Sequence, residues 1–130
     1  MYFCTHCEQS WAVHQRVLAV EDDPAVRHLI DRVLTRCGHH VLTAASPDQA
    51  AALLLDFPEP LDVGLLDLIT PGMGSVAFGG QLRRQFPRIR LMFMTGWLDR
   101  PEVSDLIEQG LLLPKPFTPQ ELCNVVATKA

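Results

Sequence analysis

Beyond its first fifteen residues the chain alternates short apolar runs with apolar positions at helical spacing. The first run is Val17-Leu18-Ala19-Val20. After it, Val26, Leu29, Ile30, Val33, Leu34 and Cys37 recur as one helix face. Asp23 stands at the N-cap of that helix, Pro24 at its first position and Gly38 just past its end. A second strand is predicted at Val41 to Ala44, and Ser46-Pro47-Asp48-Gln49 opens a helix through Leu55 as a capping box. A third strand covers Val63 to Asp67, and a third helix Val76 to Phe86 with Gly79 and Gly80 inside it. Arg90 to Thr95 is a fourth strand, Asp99 caps a fourth helix ending at Gly110, and Leu111-Leu112-Leu113 is a fifth strand. Thr118-Pro119-Gln120-Glu121 is a further capping box, opening a last helix through Ala127. Met1 to Gln15 has no period and reads as an N-terminal tail, which leaves residues 16–130 as one domain.

Five β-α units with apolar strands predict an α/β fold: a parallel sheet covered on both faces. Right-handed crossovers then bring the C-terminal ends of the strands to one edge, where such sheets bind their ligands.

Composition narrows the function. The 130 residues carry 11 basic and 15 acidic side chains, net −4, which speaks against a nucleic-acid binder. No apolar run approaches the roughly 18–20 residues of a membrane span, and no signal peptide is visible. Cys37 and Cys123 fall in apolar helical patterns and read as small hydrophobes. A reduced, cytoplasmic protein is expected.

The strand ends carry the chemistry. Glu21-Asp22 ends the first strand, Asp67 the third and Thr95 the fourth, and Lys115 follows the fifth. Carboxylates brought together repel unless a cation joins them, and oxygen donors of this kind suit Mg²⁺. A hydroxyl and a lysine beside them suit a phosphoryl group, and an aspartate can carry one as an acyl phosphate.

Four marks in order, Val20-Glu21-Asp22-Asp23-Pro24, Asp67 with Thr70-Pro71-Gly72-Met73, Met94-Thr95-Gly96 and Lys115-Pro116-Phe117, strongly resemble the receiver domain of two-component response regulators. The resemblance covers Arg16 to about Thr128, and Met92 to Trp97 with Leu113 to Pro119 look most like receivers attached to hybrid sensor histidine kinases. It implies a flavodoxin-like, doubly wound five-stranded parallel sheet, order 2-1-3-4-5, with five helices. It implies that Asp67 is the phosphoacceptor, that Asp22 binds Mg²⁺ directly, and that Glu21 acts nearby through water. It further implies that the Ile69 carbonyl is a metal ligand, that Thr95 and Lys115 hold the phosphoryl oxygens, and that Lys115-Pro116 is cis. The implied partner is a sensor histidine kinase or a histidine phosphotransfer protein. The implied activity is self-phosphorylation from a phosphodonor and autodephosphorylation, with no turnover of an external substrate. A phosphorylation-dependent homodimer is compatible with the resemblance. Readout is expected on the fourth helix (Val103, Leu106, Ile107), the fifth strand and the last helix, and no DNA-binding output is expected within these residues.

The chain departs from the receiver pattern in places. Gly74-Ser75 replaces the usual Asp-Gly or Ser-Gly pair, Thr70 replaces a methionine, and Leu112 takes the place of the switch aromatic. Ile69 and Trp97, two residues after Asp67 and Thr95, imply slow hydrolysis of the aspartyl phosphate. The loose loop and Leu112 support a second reading, a non-phosphorylated interaction module on the same fold, which the intact Asp67, Asp22, Thr95 and Lys115 oppose. Three weaker readings are a zinc knuckle at Cys4, His6, Cys7 and His14, a dinucleotide loop at Gly72 to Ala77, and a haloacid-dehalogenase-type phosphatase. The last wants an aspartate where Ile69 stands.

Overall fold

The computed structural model describes residues 2–4, 9–11, 14–57, 59–68, 74–96, 101–109 and 111–127, with residues 2–4, 9–11, 102 and 107 in main chain only. In chain order the elements are β1 (Tyr2–Cys4), β2 (Gln9–Trp11), β3 (Arg16–Val20), α1 (Pro24–Arg36), β4 (His40–Ala44), α2 (Pro47–Leu54), β5 (Val63–Asp67), α3 (Ser75–Gln85), β6 (Arg90–Thr95), α4 (Pro101–Glu108), β7 (Leu112–Pro114) and α5 (Pro119–Val126). Strands β3 to β7 form a parallel sheet in the order β4-β3-β5-β6-β7. Counted from β3 this is the expected 2-1-3-4-5. Within the segment read as a tail, β1 and β2 pair antiparallel, Tyr2 opposite Trp11. The fifth sheet strand lies one residue later than predicted, because Leu112 pairs with Phe93 and Pro114 with Thr95.

The unbroken apolar strands are explained by two cores, one on each face. Along β3, Val17 and Ala19 point to one side and Leu18 and Val20 to the other, as the two-residue pleat requires. The first face is covered by Ile30, Val33 and Leu34 of α1 and by Leu122 and Val126 of α5. The second is covered by Ala50 and Leu54 of α2 and by Phe78 and Leu82 of α3. Cys37 and Cys123 are fully buried in the first, their sulfurs 2.8 Å apart.

The helix starts follow their caps. The Asp23 side chain accepts from the Ala25 N–H (2.9 Å), and Ser46 Oγ accepts from the Gln49 N–H (3.2 Å). Gln49 reaches back to the Ala45 N–H (3.0 Å) rather than to Ser46. Thr118 and Glu121 form the full reciprocal box. At the other end of α5, Arg90 of β6 donates to the Val126 carbonyl (2.8 Å) and satisfies one of the helix's terminal acceptors. No helix among the described residues is long and apolar enough to cross a membrane.

Helix α3 is the weak point foreseen from its glycines. Its N-cap Gly74 offers no side-chain bond. The two internal glycines differ in kind. A Cβ on Gly79 would sit 3.1 Å from Leu91 Cδ1 and 3.4 Å from Phe93 Cζ, so Gly79 lets the helix approach the sheet. A Cβ on Gly80 would meet nothing within 4 Å. Gly80→Ala is therefore expected to stabilise the protein by about 1 kcal/mol, the glycine–alanine difference in helix propensity, in a urea unfolding measurement. Gly79→Ala should show no such gain.

Candidate functional site

Three strand ends and one loop meet at the C-terminal edge of the sheet. Glu21 and Asp22 follow β3, Asp67 closes β5, Thr95 closes β6, and Lys115 follows β7. The loop is held in place by its main chain: the Lys115 N–H donates to the Thr95 carbonyl (2.9 Å), and the Leu68 N–H donates to the Met94 carbonyl (2.8 Å). The Lys115-Pro116 peptide is cis. Together with Asp23 and Gly96 these residues line an open cleft of about 460 Å³.

Glu21 is fully buried, Asp67 and Thr95 are buried, and Asp22 is exposed. One carboxylate oxygen from each of Glu21, Asp22 and Asp67 lies within 4.8 Å of the others. The Lys115 ammonium donates to Glu21 Oε1 and, at 3.3 Å, to Asp67 Oδ2. Glu21 Oε2 also accepts from the Asp23 N–H at 3.1 Å. Burial is the chief cause that pushes the Glu21 carboxyl up to about 7. Lys115 and the Asp23 amide oppose that rise, and Asp67 adds to it. Burial acts to lower the Lys115 ammonium, but its hydrogen bond to Glu21 and the charge of Asp67 outweigh burial and leave it raised. A divalent cation fits such a site. The donors are hard oxygens gathered from two chain segments, and carboxylates held this close repel one another unless a cation joins them.

The structure thus brings together Glu21, Asp22, Asp67, Thr95 and Lys115, all named from the sequence. Ile69, Trp97, Thr70 to Met73, His6 and Cys7 lie outside the described residues, as does the Cys4 side chain. His14 is exposed, with its ring 6.3 Å from that of His40. Leu112 is half-buried at the start of β7 and packs on the second core.

Two residues at the site were not singled out. Ser75, in the pair read as a loose helix start, is buried and donates its hydroxyl to the Asp67 carbonyl oxygen. Arg27 donates to the Glu21 carbonyl at 2.9 Å. Both act on main-chain atoms, which no side-chain motif reports.

The chain matches the response regulator receiver domain across residues 17–127. It is 32% identical over 118 residues to the transcriptional regulatory protein AruR of Pseudomonas aeruginosa, a match covering 87% of this chain and 48% of AruR. It is 30% identical over 112 residues to the sensor kinase CckA of Brucella abortus, covering 85% of this chain and 12% of CckA. The chain therefore spans about half the length of AruR and a small part of CckA. Among solved structures, the chemotaxis protein CheY4 of Vibrio cholerae superposes with a TM-score of 0.74 at 26% identity, covering 87% of this chain and 96% of CheY4. A CheY-like receiver domain protein of Methanospirillum hungatei JF-1 gives a TM-score of 0.75 at 22% identity, over 88% of this chain and 91% of that one, and shows the shared fold.

Proposed function

The chain belongs to the response regulator receiver domain family, whose general function is to accept a phosphoryl group on an aspartate, and we propose that in this chain the acceptor is Asp67. The observation that carries the assignment is the Lys115 ammonium touching both Asp67 and Glu21 in a cleft that Asp22 and Thr95 also line. Receiver domains take their phosphoryl group from histidine kinases or phosphotransfer proteins, and as phosphoacceptors they are generally not enzymes. The same reading treats residues 1–15 as an N-terminal tail and 16–130 as the receiver domain.

On this reading an Asp67 oxygen attacks the phosphorus of a phosphohistidine. The phosphorus–nitrogen bond breaks, the imidazole departs, and an aspartyl phosphate remains. Lys115 pairs with one phosphoryl oxygen and the Thr95 hydroxyl donates to another, which stabilises charge developing there. Glu21, Asp22 and Asp67, with the Ile69 carbonyl, would hold Mg²⁺, which when bound supplies charge neutralisation. Hydrolysis of the aspartyl phosphate by the domain itself completes the cycle. The phosphorylated form favours an active conformation through its better contacts there. Its readout is by protein contact, a phosphorylation-dependent homodimer included.

Beryllofluoride with MgCl₂ tests the reading, since it mimics an aspartyl phosphate. Fluorine NMR should show a bound signal with the wild-type chain and none with Asp67→Asn. A wild-type chain that shows no bound signal would instead support the non-phosphorylated interaction module.

A further inference from the structure

The acids, Thr95 and Lys115 have roles in phosphoryl transfer; a second cation, held against the β3–α1 turn, has none. Arg27 lies in the opening of α1, six residues after Glu21, and is half-buried. Its Nη1 donates to the Glu21 carbonyl at 2.9 Å and lies 3.5 Å from the Asp22 carbonyl. These carbonyls belong to the two consecutive residues whose carboxylates face the cleft. The amides of the same turn point elsewhere: the Glu21 N–H donates to Ala44 (3.0 Å), and the Asp23 N–H donates to the Glu21 carboxylate (3.1 Å). The turn is thus tied to the sheet through the Glu21 amide, to itself through the Asp23 amide, and to α1 through its carbonyls. Arg27 is itself anchored, because its N–H donates to the Asp23 carbonyl at 2.9 Å. A planar guanidinium is pre-organised for such a clamp.

Two effects of Arg27 on a bound cation have opposite signs. Its positive charge repels a divalent ion, so removing it should tighten binding if charge is all that matters. Its grip on the turn aims two carboxylates at one point, so removing it should weaken binding if aim matters more. We propose that Arg27 is a positioning residue that clamps the β3–α1 turn so that Glu21 and Asp22 present their carboxylates to a divalent cation, and that this outweighs its repulsion. The proposal rests on the reading of the cleft as an Mg²⁺ site.

Calorimetric titration of the full chain with MgCl₂, with no phosphodonor present, separates the possibilities. The wild-type chain is expected to bind and Asp67→Asn to bind more weakly. Arg27→Ala is expected to bind about tenfold more weakly than wild type, the size of effect seen when a group that orients metal ligands is lost. Arg27→Gln, which keeps a planar amide donor but no charge, should fall between the two, and it decides the matter if Arg27→Ala does not fold. Binding by Arg27→Ala or Arg27→Gln that is equal to or tighter than wild type would overturn the positioning role, because it would leave repulsion as the dominant effect. A wild-type chain that binds no Mg²⁺ would remove the metal-site reading and this proposal with it, a result visible before any Arg27 variant is compared.

Discussion

Lys115→Met is expected to slow phosphoryl uptake from acetyl phosphate by about a hundredfold or more, the usual cost of losing one pre-organised donor at a site of developing charge. Methionine keeps the unbranched stem and deletes the ammonium. The fold should survive the change. Lys115 is the strongest influence holding the Glu21 carboxyl down, so in the variant that fully buried group climbs above its present value of about 7. It then takes a proton at neutral pH, and no naked charge stays buried. The expected loss of stability at pH 7 is accordingly about 1 kcal/mol, well under the 3–5 kcal/mol of a buried pair broken with its charge left behind. Uptake followed by intact mass, beside a urea unfolding curve, checks both parts. Uptake within about threefold of wild type would mean that Lys115 does not meet the phosphoryl group.

The second large effect lies at the opposite end of the sheet, in the acid range. His39 is buried, and its Nδ1 accepts from the Gln15 N–H at 3.0 Å. Burial, with the neighbouring His14 and His40 charges, pushes its pKa down from 6.5 to about 4. The folded state therefore prefers neutral imidazole. Above pH 6.5 the histidine is neutral folded or unfolded, and its contribution is fully present. As pH falls from 6.5 to about 4 the unfolded chain gains a proton that the folded one refuses, and stability drops by about 3 kcal/mol in all. Glu21 acts the other way. Its folded pKa is raised from 4.5 to about 7, so its contribution is complete below 4.5 and is lost as pH rises through 7. The two windows overlap, and the wild-type curve alone blends them. His39→Asn keeps an acceptor for the Gln15 N–H and removes the titration. Between pH 7 and pH 4.5 the variant should gain about 2–3 kcal/mol relative to wild type in urea unfolding. A gap that does not change with pH would contradict the assignment.

Much of this was legible from residue order because a parallel α/β sheet is a local repeat. Asp23, Ser46 and Thr118 mark helix starts by a side-chain bond a few residues away, and all three make that bond. Val63 to Asp67 and Arg90 to Thr95 are legible to the residue, since strands buried on both faces are apolar along their centres and change character at their ends. The strand ends follow from right-handed crossovers, which explains how Glu21, Asp67, Thr95 and Lys115, up to 94 positions apart, could be named as one site.

What was not legible depends on tertiary detail. Strand β7 lies one residue late because pairing with β6, rather than its own run of leucines, sets its limits. The ladder of Tyr2–Cys4 with Gln9–Trp11 is too short to show a period. Glu21 and Asp22 are adjacent acids, yet only the first is enclosed and paired with Lys115, a division made by a residue 94 positions away. Arg27 and Ser75 escape notice for a related reason: they bond carbonyl oxygens, which every residue has.

The central claim is that Asp67 carries the phosphoryl group, and mapping that group on the chain tests it most directly. When the 130-residue chain is incubated with acetyl phosphate and MgCl₂, borohydride then reduces an aspartyl phosphate to homoserine at its own position. Homoserine is expected at position 67 of the wild-type chain, with no uptake by Asp67→Asn. Homoserine at another aspartate, or uptake undiminished in Asp67→Asn, would contradict the claim.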